Sequence, residues 1–204
     1  MYVLTYGGAR GCGTGASRAG VAPPGPGLCV DAVVLQPVVA GMARRGVLPN
    51  RMEGRVRVFA GDMRQAHACL GHGQYALAVC NPPYGRAGAT LPSQNEGVRL
   101  ARHEGELTAE GVAESAARLL KNGGRLCVIF PAPRALEMLR AMEDCGIAPK
   151  RLRTVHGMPE RAPKFLLIDG VRGGGRGLHW LPPLVLRNAD GSFSDEWKRI
   201  YRAR

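Results

Sequence analysis

Short apolar, β-branched runs alternate along this chain with segments of helical periodicity, and the alternation predicts an α/β fold: a mostly parallel sheet with helices on both faces. Tyr2 to Tyr6 and Leu28 to Leu35 read as the first two strands. A helix follows from Gln36-Pro37, where proline suits the first turn, and stops near Gly46. Val56 to Ala60 and Tyr75 to Cys80 supply the third and fourth strands. Between Gly97 and Asn122, the residues Leu100, Leu107, Val112, Ala116 and Leu119 fall at helical spacing, broken around Gly105 and ended by Asn122-Gly123-Gly124. Arg125 to Phe130 is almost continuously apolar, the pattern of a strand covered on both faces. A further helix is predicted from Pro133 to Cys145, with Leu136, Leu139 and Met142 on its inner face. Arg151 to Val155 and Lys164 to Asp169 then pair as a late antiparallel arm, followed by the glycine-rich Gly170 to Gly177 and the short apolar Leu184 to Leu186.

No internal repeat or linker divides this pattern, so residues 1–204 are read as one domain. At 204 residues and 45% hydrophobic content the chain can bury one sizeable core. It has no run of about 18 or more apolar residues, and its first residues lack the basic start and apolar stretch of a leader. A cytoplasmic protein with no membrane contact is expected. The six cysteines lie mostly within apolar runs such as YALAVC and RLCVIF, and no two form C-x-x-C. They read as small core residues; neither a disulfide framework nor a zinc site is expected.

The formal net charge of +12 changes the picture because it is uneven: from Lys150 to Arg204 there are twelve Lys and Arg against five Asp and Glu. Such a field attracts polyanions, nucleic acid above all. An Arg-rich composition accounts for the charge equally well. Arg151, Arg153, Arg161 and Lys164 form a candidate phosphate-contacting group, with a solvated basic face as the plain alternative. His103, His156 and His179 have no metal-ligand spacing, so no metal is expected. Trp180 and Trp197 read as core or interface fillers.

Three segments carry candidate chemistry. Gly11-Cys12-Gly13-Thr14-Gly15 follows a short strand, and closely spaced glycines let a backbone approach a nucleotide-like ligand, although glycine turns are common. An acidic residue at the end of the second strand would bind the ribose hydroxyls of such a ligand, but Val34 stands there; Asp31 lies on the opposite strand face. Gly61-Asp62-Met63 ends the third strand, where a carboxylate can accept the amino group of an adenine ring or simply cap a helix.

The most specific signal is Asn81-Pro82-Pro83-Tyr84, directly after the strand Ala76 to Cys80. An amine attached to an aromatic ring is a poor nucleophile because its lone pair is delocalised. Methyl transfer to it requires a more tetrahedral nitrogen, which acceptors aimed at its two N–H bonds favour. The Asn81 side-chain oxygen and the Pro82 carbonyl can supply those acceptors on a backbone stiffened by Pro82 and Pro83, and Tyr84 offers a face on which the base stacks. No strongly shifted general base is required, since the positive charge formed on nitrogen eases proton loss afterwards.

With these residues in place, the chain resembles the bacterial tRNA adenine-N6 methyltransferases that act on valine tRNA. The resemblance runs through GCGTG at 11–15, VVLQP at 33–37, GRVRVFAGDMR at 54–64, NPPYGRAG at 81–88, ARHE at 101–104, LLKNGGRLCVIFPAPR at 119–134, PKRLRTVH at 149–156 and GGGRGLHWLPPL near the end. It implies a Rossmann-like class I methyltransferase fold, and S-adenosylmethionine held by Gly11, Gly13, Gly15, Asp62, Met63 and Asn81. It also implies an adenine presented by Asn81, Pro82, Pro83 and Tyr84, and tRNA bound through basic residues such as Arg151, Arg153 and Lys164. Members of the family carry a segment ahead of the glycine loop and an acidic residue at the position of Val34; here the loop closely follows Met1, so the N-terminal segment is expected to be missing. Two alternatives stay open: a protein glutamine-N5 methyltransferase, which shares the NPPY step, and a catalytically impaired RNA-binding homologue.

Overall fold

In the computed structural model, which describes residues 2–7, 29–50, 52, 54–81 and 108–202, the alternation becomes one mixed sheet. Its strands are β1 (Tyr2–Gly7), β2 (Cys29–Val34), β3 (Val56–Ala60), β4 (Tyr75–Asn81), β5 (Leu120–Pro131), β6 (Ile147–His156), β7 (Phe165–Arg172), β8 (His179–Trp180) and β9 (Leu184–Val185). The spatial order is β3-β2-β1-β4-β5-β7-β6-β8, with β9 also on β6. Among these, β2 to β6, β8 and β9 share one direction, while β1 and β7 run against it. The predicted antiparallel arm is therefore present, with β7 inserted between β5 and β6.

Helices cover both faces, as the apolar spacing predicts. Helix α1 (Pro37–Val47) packs on β2 and β3. Its Arg44 donates to the Val58 carbonyl from Nε at 3.0 Å and Nη2 at 2.9 Å, tying the last turn to the sheet. A single turn, α2 (His67–Leu70), follows β3. On the other face lie α3 (Ala109–Leu119), capped by the Thr108 hydroxyl accepting from Gly111 N at 3.1 Å, and α4 (Ala135–Asp144). Val112, Ala116 and Leu119 of α3 and Met138 and Met142 of α4 meet Leu126, Val128, Leu152 and Ile168 of the sheet in the main core. Each fully buried Leu or Ile contributes about 1.5–3 kcal/mol of transfer free energy. Helix α5 (Asp195–Arg202) ends the described chain against β9.

The structure departs from the sequence pattern in four places. Helix α3 stops at Leu119 rather than at Asn122, because Leu119 and Leu120 are both fully buried and the chain must enter the sheet at once. Asn122-Gly123-Gly124 instead forms an irregularity at the start of β5, with Gly123 at φ 76°, where the register against β4 shifts. A 3-10 turn over Ala132–Arg134 delays α4, so Met138, Ala141 and Met142 face inward and Leu136 is 57% exposed. Cys29 is disulfide-bonded, against the reading of the cysteines as small core residues. The largest departure is β1: it places Tyr2 beside both Val34 and Asn81, and Gly7 beside Cys29 and Tyr75, so the chain leaves β1 at the edge where β2 and β4 begin.

Close approach explains one glycine. A Cβ at Gly170 on β7 would lie 2.2 Å from Met142 Cε and 2.9 Å from Ile147 Cγ2, so the absence of a side chain lets α4 settle onto the sheet.

Candidate functional site

The carboxyl ends of β2, β3, β4 and β5 form one edge of the sheet, the edge where open α/β folds bind ligands. Val34 pairs with Ala60 on one side and Tyr2 on the other, and Tyr2 pairs with Asn81. The Gly61 N–H donates to the Val34 carbonyl at 3.0 Å, which brings Asp62 to this edge. Asp62 and Asn81 thus end strands that are three spacings apart, about 14 Å at the usual interstrand distance.

Asp62 caps the 3-10 turn Met63–Gln65: Oδ1 accepts the Arg64 N–H at 2.8 Å, and Oδ2 accepts the Arg64 guanidinium from Nε at 2.9 Å. These bonds from Arg64 hold the Asp62 carboxyl below the usual carboxylate range, against a smaller opposing effect of burial. Oδ1 keeps acceptor capacity, since a carboxylate offers about four lone-pair sites. The same turn drives Met63 inward, where it is buried in the main core beside Val33 and α3. The Met63 side chain therefore serves packing, and its backbone stays at the edge beside Asp62.

Asn81 is exposed at the end of β4, immediately after the buried Cys80. Burial pushes the Cys80 thiol up to about 12, so it carries no nucleophilic thiolate near neutral pH. Val34 is fully buried and offers no acceptor. Gly11, Gly13, Gly15, Pro82, Pro83, Tyr84 and His103 lie outside the described residues. The strand ahead of the glycine segment ends, at Gly7, on the edge opposite Asp62 and Asn81.

Asp31 cannot take the missing acidic role. Buried in the sheet, it accepts Arg57 Nε and Nη2, each at 2.6 Å, and the Tyr75 hydroxyl at 2.6 Å. A buried carboxylate saturated in this way is a cross-link of β2, β3 and β4. Burial, then the neighbouring Asp31, push the Tyr75 hydroxyl above its ordinary range.

Two of the four expected phosphate contacts have internal partners. Arg151 Nε donates to Asp169 at 2.6 Å, and Arg125 pairs with the same carboxylate. Burial raises the Asp169 pKa, but the bonds from Arg125 and Arg151 outweigh it and leave the carboxyl below its usual range. Arg153 donates to Glu196 at 2.7 Å and to the Pro182 carbonyl at 2.7 Å. Arg161 and Lys164 are exposed and make no ion pair among the described residues. Both lie in the turn between β6 and β7. Because β6 is parallel to β5 and β4, that turn is on the Asn81 edge, about 10–14 Å from β4 by strand spacing. His156 steadies the turn, its Nδ1 2.7 Å from the Arg161 carbonyl and its Nε2 2.9 Å from the Thr154 hydroxyl.

Trp180, expected in a core or interface, is 68% exposed on β8. No group of three or more His, Cys, Asp or Glu able to hold a metal occurs among the described residues. No helix there is long and apolar enough to cross a membrane.

No family model matches the chain. Among curated proteins it is similar to the tRNA1(Val) (adenine(37)-N6)-methyltransferase of Porphyromonas gingivalis, 27% identical over 195 residues that cover 93% of this chain and 75% of that one. The protein of the same name from Tolumonas auensis is 32% identical over 139 residues, 68% of this chain and 56% of that one. Among solved structures, a predicted O-methyltransferase from Agrobacterium tumefaciens superposes with a TM-score of 0.66 at 19% identity, covering 84% of this chain and 76% of that one. The chain is thus a homologue of the tRNA1(Val) (adenine(37)-N6)-methyltransferases, built on the Rossmann-like class I methyltransferase fold.

Proposed function

We propose that this chain transfers a methyl group from S-adenosylmethionine to N6 of an adenine in tRNA. The observation that carries the reading is Asn81, exposed at the end of β4 on the same sheet edge as Asp62, in a chain whose homologues are named for this reaction. The donor supplies an electrophilic methyl group on sulfonium sulfur. The Asn81 side-chain oxygen accepts one N–H of the target amine and the Pro82 carbonyl the other, holding the lone pair out of conjugation and toward the methyl. Pro83 stiffens this segment and Tyr84 stacks on the base. Asp62 fits the donor's adenine amino group through the free acceptor capacity of Oδ1, with Gly11, Gly13 and Gly15 as the backbone cradle. Arg161 and Lys164 grip phosphates flanking the target, and Arg151 and Arg153 lend positive field from their paired positions.

The test is incorporation of labelled methyl from S-adenosylmethionine into unmodified valine tRNA. Transfer that Asn81→Ala abolishes supports the reading; transfer only to a glutamine-bearing peptide overturns the acceptor. A second reading, an RNA-binding homologue without transfer, is favoured by Val34 and by the direction of β1. Calorimetry separates the two: no binding at millimolar S-adenosylmethionine leaves only the second.

A further inference from the structure

Trp180 stands in line with the proposed acceptor site. Cys80 pairs with Val128, Val128 with Ile168, Ile168 with Leu152 and Leu152 with Trp180, so the five residues make one row across β4, β5, β7, β6 and β8. Asn81 is one residue beyond the start of that row. Four interstrand spacings separate its ends, about 19 Å.

The indole is exposed, and the backbone that carries it is tied down on either side. Upstream, Lys150 Nζ donates to the Gly175 carbonyl at 2.5 Å and the Arg176 carbonyl at 3.2 Å. Downstream, the Leu181 N–H donates to the Leu152 carbonyl at 2.8 Å and Arg153 Nε to the Pro182 carbonyl at 2.7 Å. Leu178 and Leu181, 38% and 40% exposed, flank it. A large aromatic exposed on a two-residue edge strand does nothing for the core; its apolar face is available to a flat partner.

The charge of the segment that carries it, and of β6 beside it, selects that partner: Arg151 and Arg153 flank Leu152, the residue that pairs with Trp180. The segment from Lys150 onward carries seven more cations than anions. Within it Arg161, Lys164, Arg176 and Arg199 make no ion pair among the described residues. An exposed aromatic face on a basic segment is the composition of a stacking platform for single-stranded nucleic acid. We infer that Trp180 stacks on an unpaired base of the RNA substrate, at a second contact remote from the acceptor nitrogen. The ~19 Å row separates this contact from the acceptor site by more than the span of one nucleotide.

This rests on the tRNA reading of the Asn81 site, and the test keeps the two apart. In a Trp197→Phe background Trp180 is the sole tryptophan, and its fluorescence is followed while fluorescein-labelled, unmodified valine tRNA is titrated; anisotropy of the label reports binding independently. The expected result is quenching that saturates with the anisotropy, a roughly tenfold or greater affinity loss in Trp180→Ala, and most of the affinity retained in Trp180→Phe. If the tRNA binds while the indole signal and the Trp180→Ala affinity are unchanged, the platform is refuted and the tRNA reading stands. If no tRNA binds at all, both fall. Should Trp180→Ala alter only the sedimentation of the free protein, the face joins two copies of the chain and the platform is again refuted.

Discussion

Val34 and Asn81 flank the same residue, Tyr2, in the ladder that joins β2, β1 and β4. The strand end that presents the proposed acceptor site and the strand end that offers the methyl donor no carboxylate are therefore two spacings apart, about 10 Å. Asn81 is exposed at one of these strand ends, while Val34, fully buried at the other, offers no charged hydrogen bond.

That shortage is measurable. A charge-assisted hydrogen bond contributes about 1.5–3 kcal/mol, so Val34→Glu should tighten S-adenosylmethionine binding by roughly ten- to a hundredfold in calorimetric titration. The free variant should melt below the parent, because Val34 is fully buried and the new carboxylate lacks a partner until the ribose arrives. Unchanged affinity with a lowered melting temperature would mean that this end of β2 does not face the cofactor.

Asp62 predicts a pH dependence. Its folded pKa lies below the ordinary value because of Arg64, so its contribution is fully present above the unfolded pKa, about 3.9, and is lost as pH falls through the lower folded value. Asp62→Ala should cost about 1 kcal/mol at pH 7, the worth of a lost cap, and urea midpoints of parent and variant should converge as the pH drops from about 5 toward 2. A gap that persists at pH 2 would place the stabilisation elsewhere.

Asp31→Ala tests the cross-link inside the sheet. It leaves the Tyr75 hydroxyl and Arg57 without their acceptor in the protein. Arg57 is largely exposed and rehydrates, so the cost is that of one buried hydroxyl and a lost part-buried pair, roughly 2–4 kcal/mol in urea unfolding. Asp31→Ala combined with Tyr75→Phe should recover part of the loss, since no buried hydroxyl is then stranded. A double variant as unstable as the sum of the singles would contradict the cross-link.

Arg161 and Lys164 are predicted to bind phosphate without reading sequence. Replacing both by Ala should weaken tRNA binding uniformly across RNA sequences and reduce the slope of log affinity against log salt by about 2, one for each contact. An unchanged slope would remove the β6–β7 turn from the RNA interface.

Much of this was legible in the chain. Val56 to Ala60 and the arm of β6 and β7 fall where alternation put them, and the segment after Cys80 was marked by its dipeptide of prolines. The direction of β1 was not legible, because a period of two residues is the same read either way; only pairing with β2 and β4 decides it. Helix α5 escaped notice because its apolar residues, Trp197, Ile200 and Tyr201, are set among five polar ones in only eight positions, too short a stretch for a helical period to stand out. The pairing of Arg151 with Asp169 and of Arg153 with Glu196 joins residues far apart in sequence, so a count of cations cannot separate them from Arg161 and Lys164, which make no ion pair among the described residues. Trp180 was assigned to a core or an interface on residue type, and only its place on the edge strand β8 shows that it lies outside the core.

The most direct test of the central claim is nucleoside mass spectrometry of unmodified valine tRNA after incubation with S-adenosylmethionine and the chain. N6-methyladenosine should appear, and Asn81→Ala should lower its rate by at least about a hundredfold, the scale of one lost transition-state contact, with the fold intact by circular dichroism. Methylation at any other atom, or an Asn81→Ala variant as active as the parent, would contradict it.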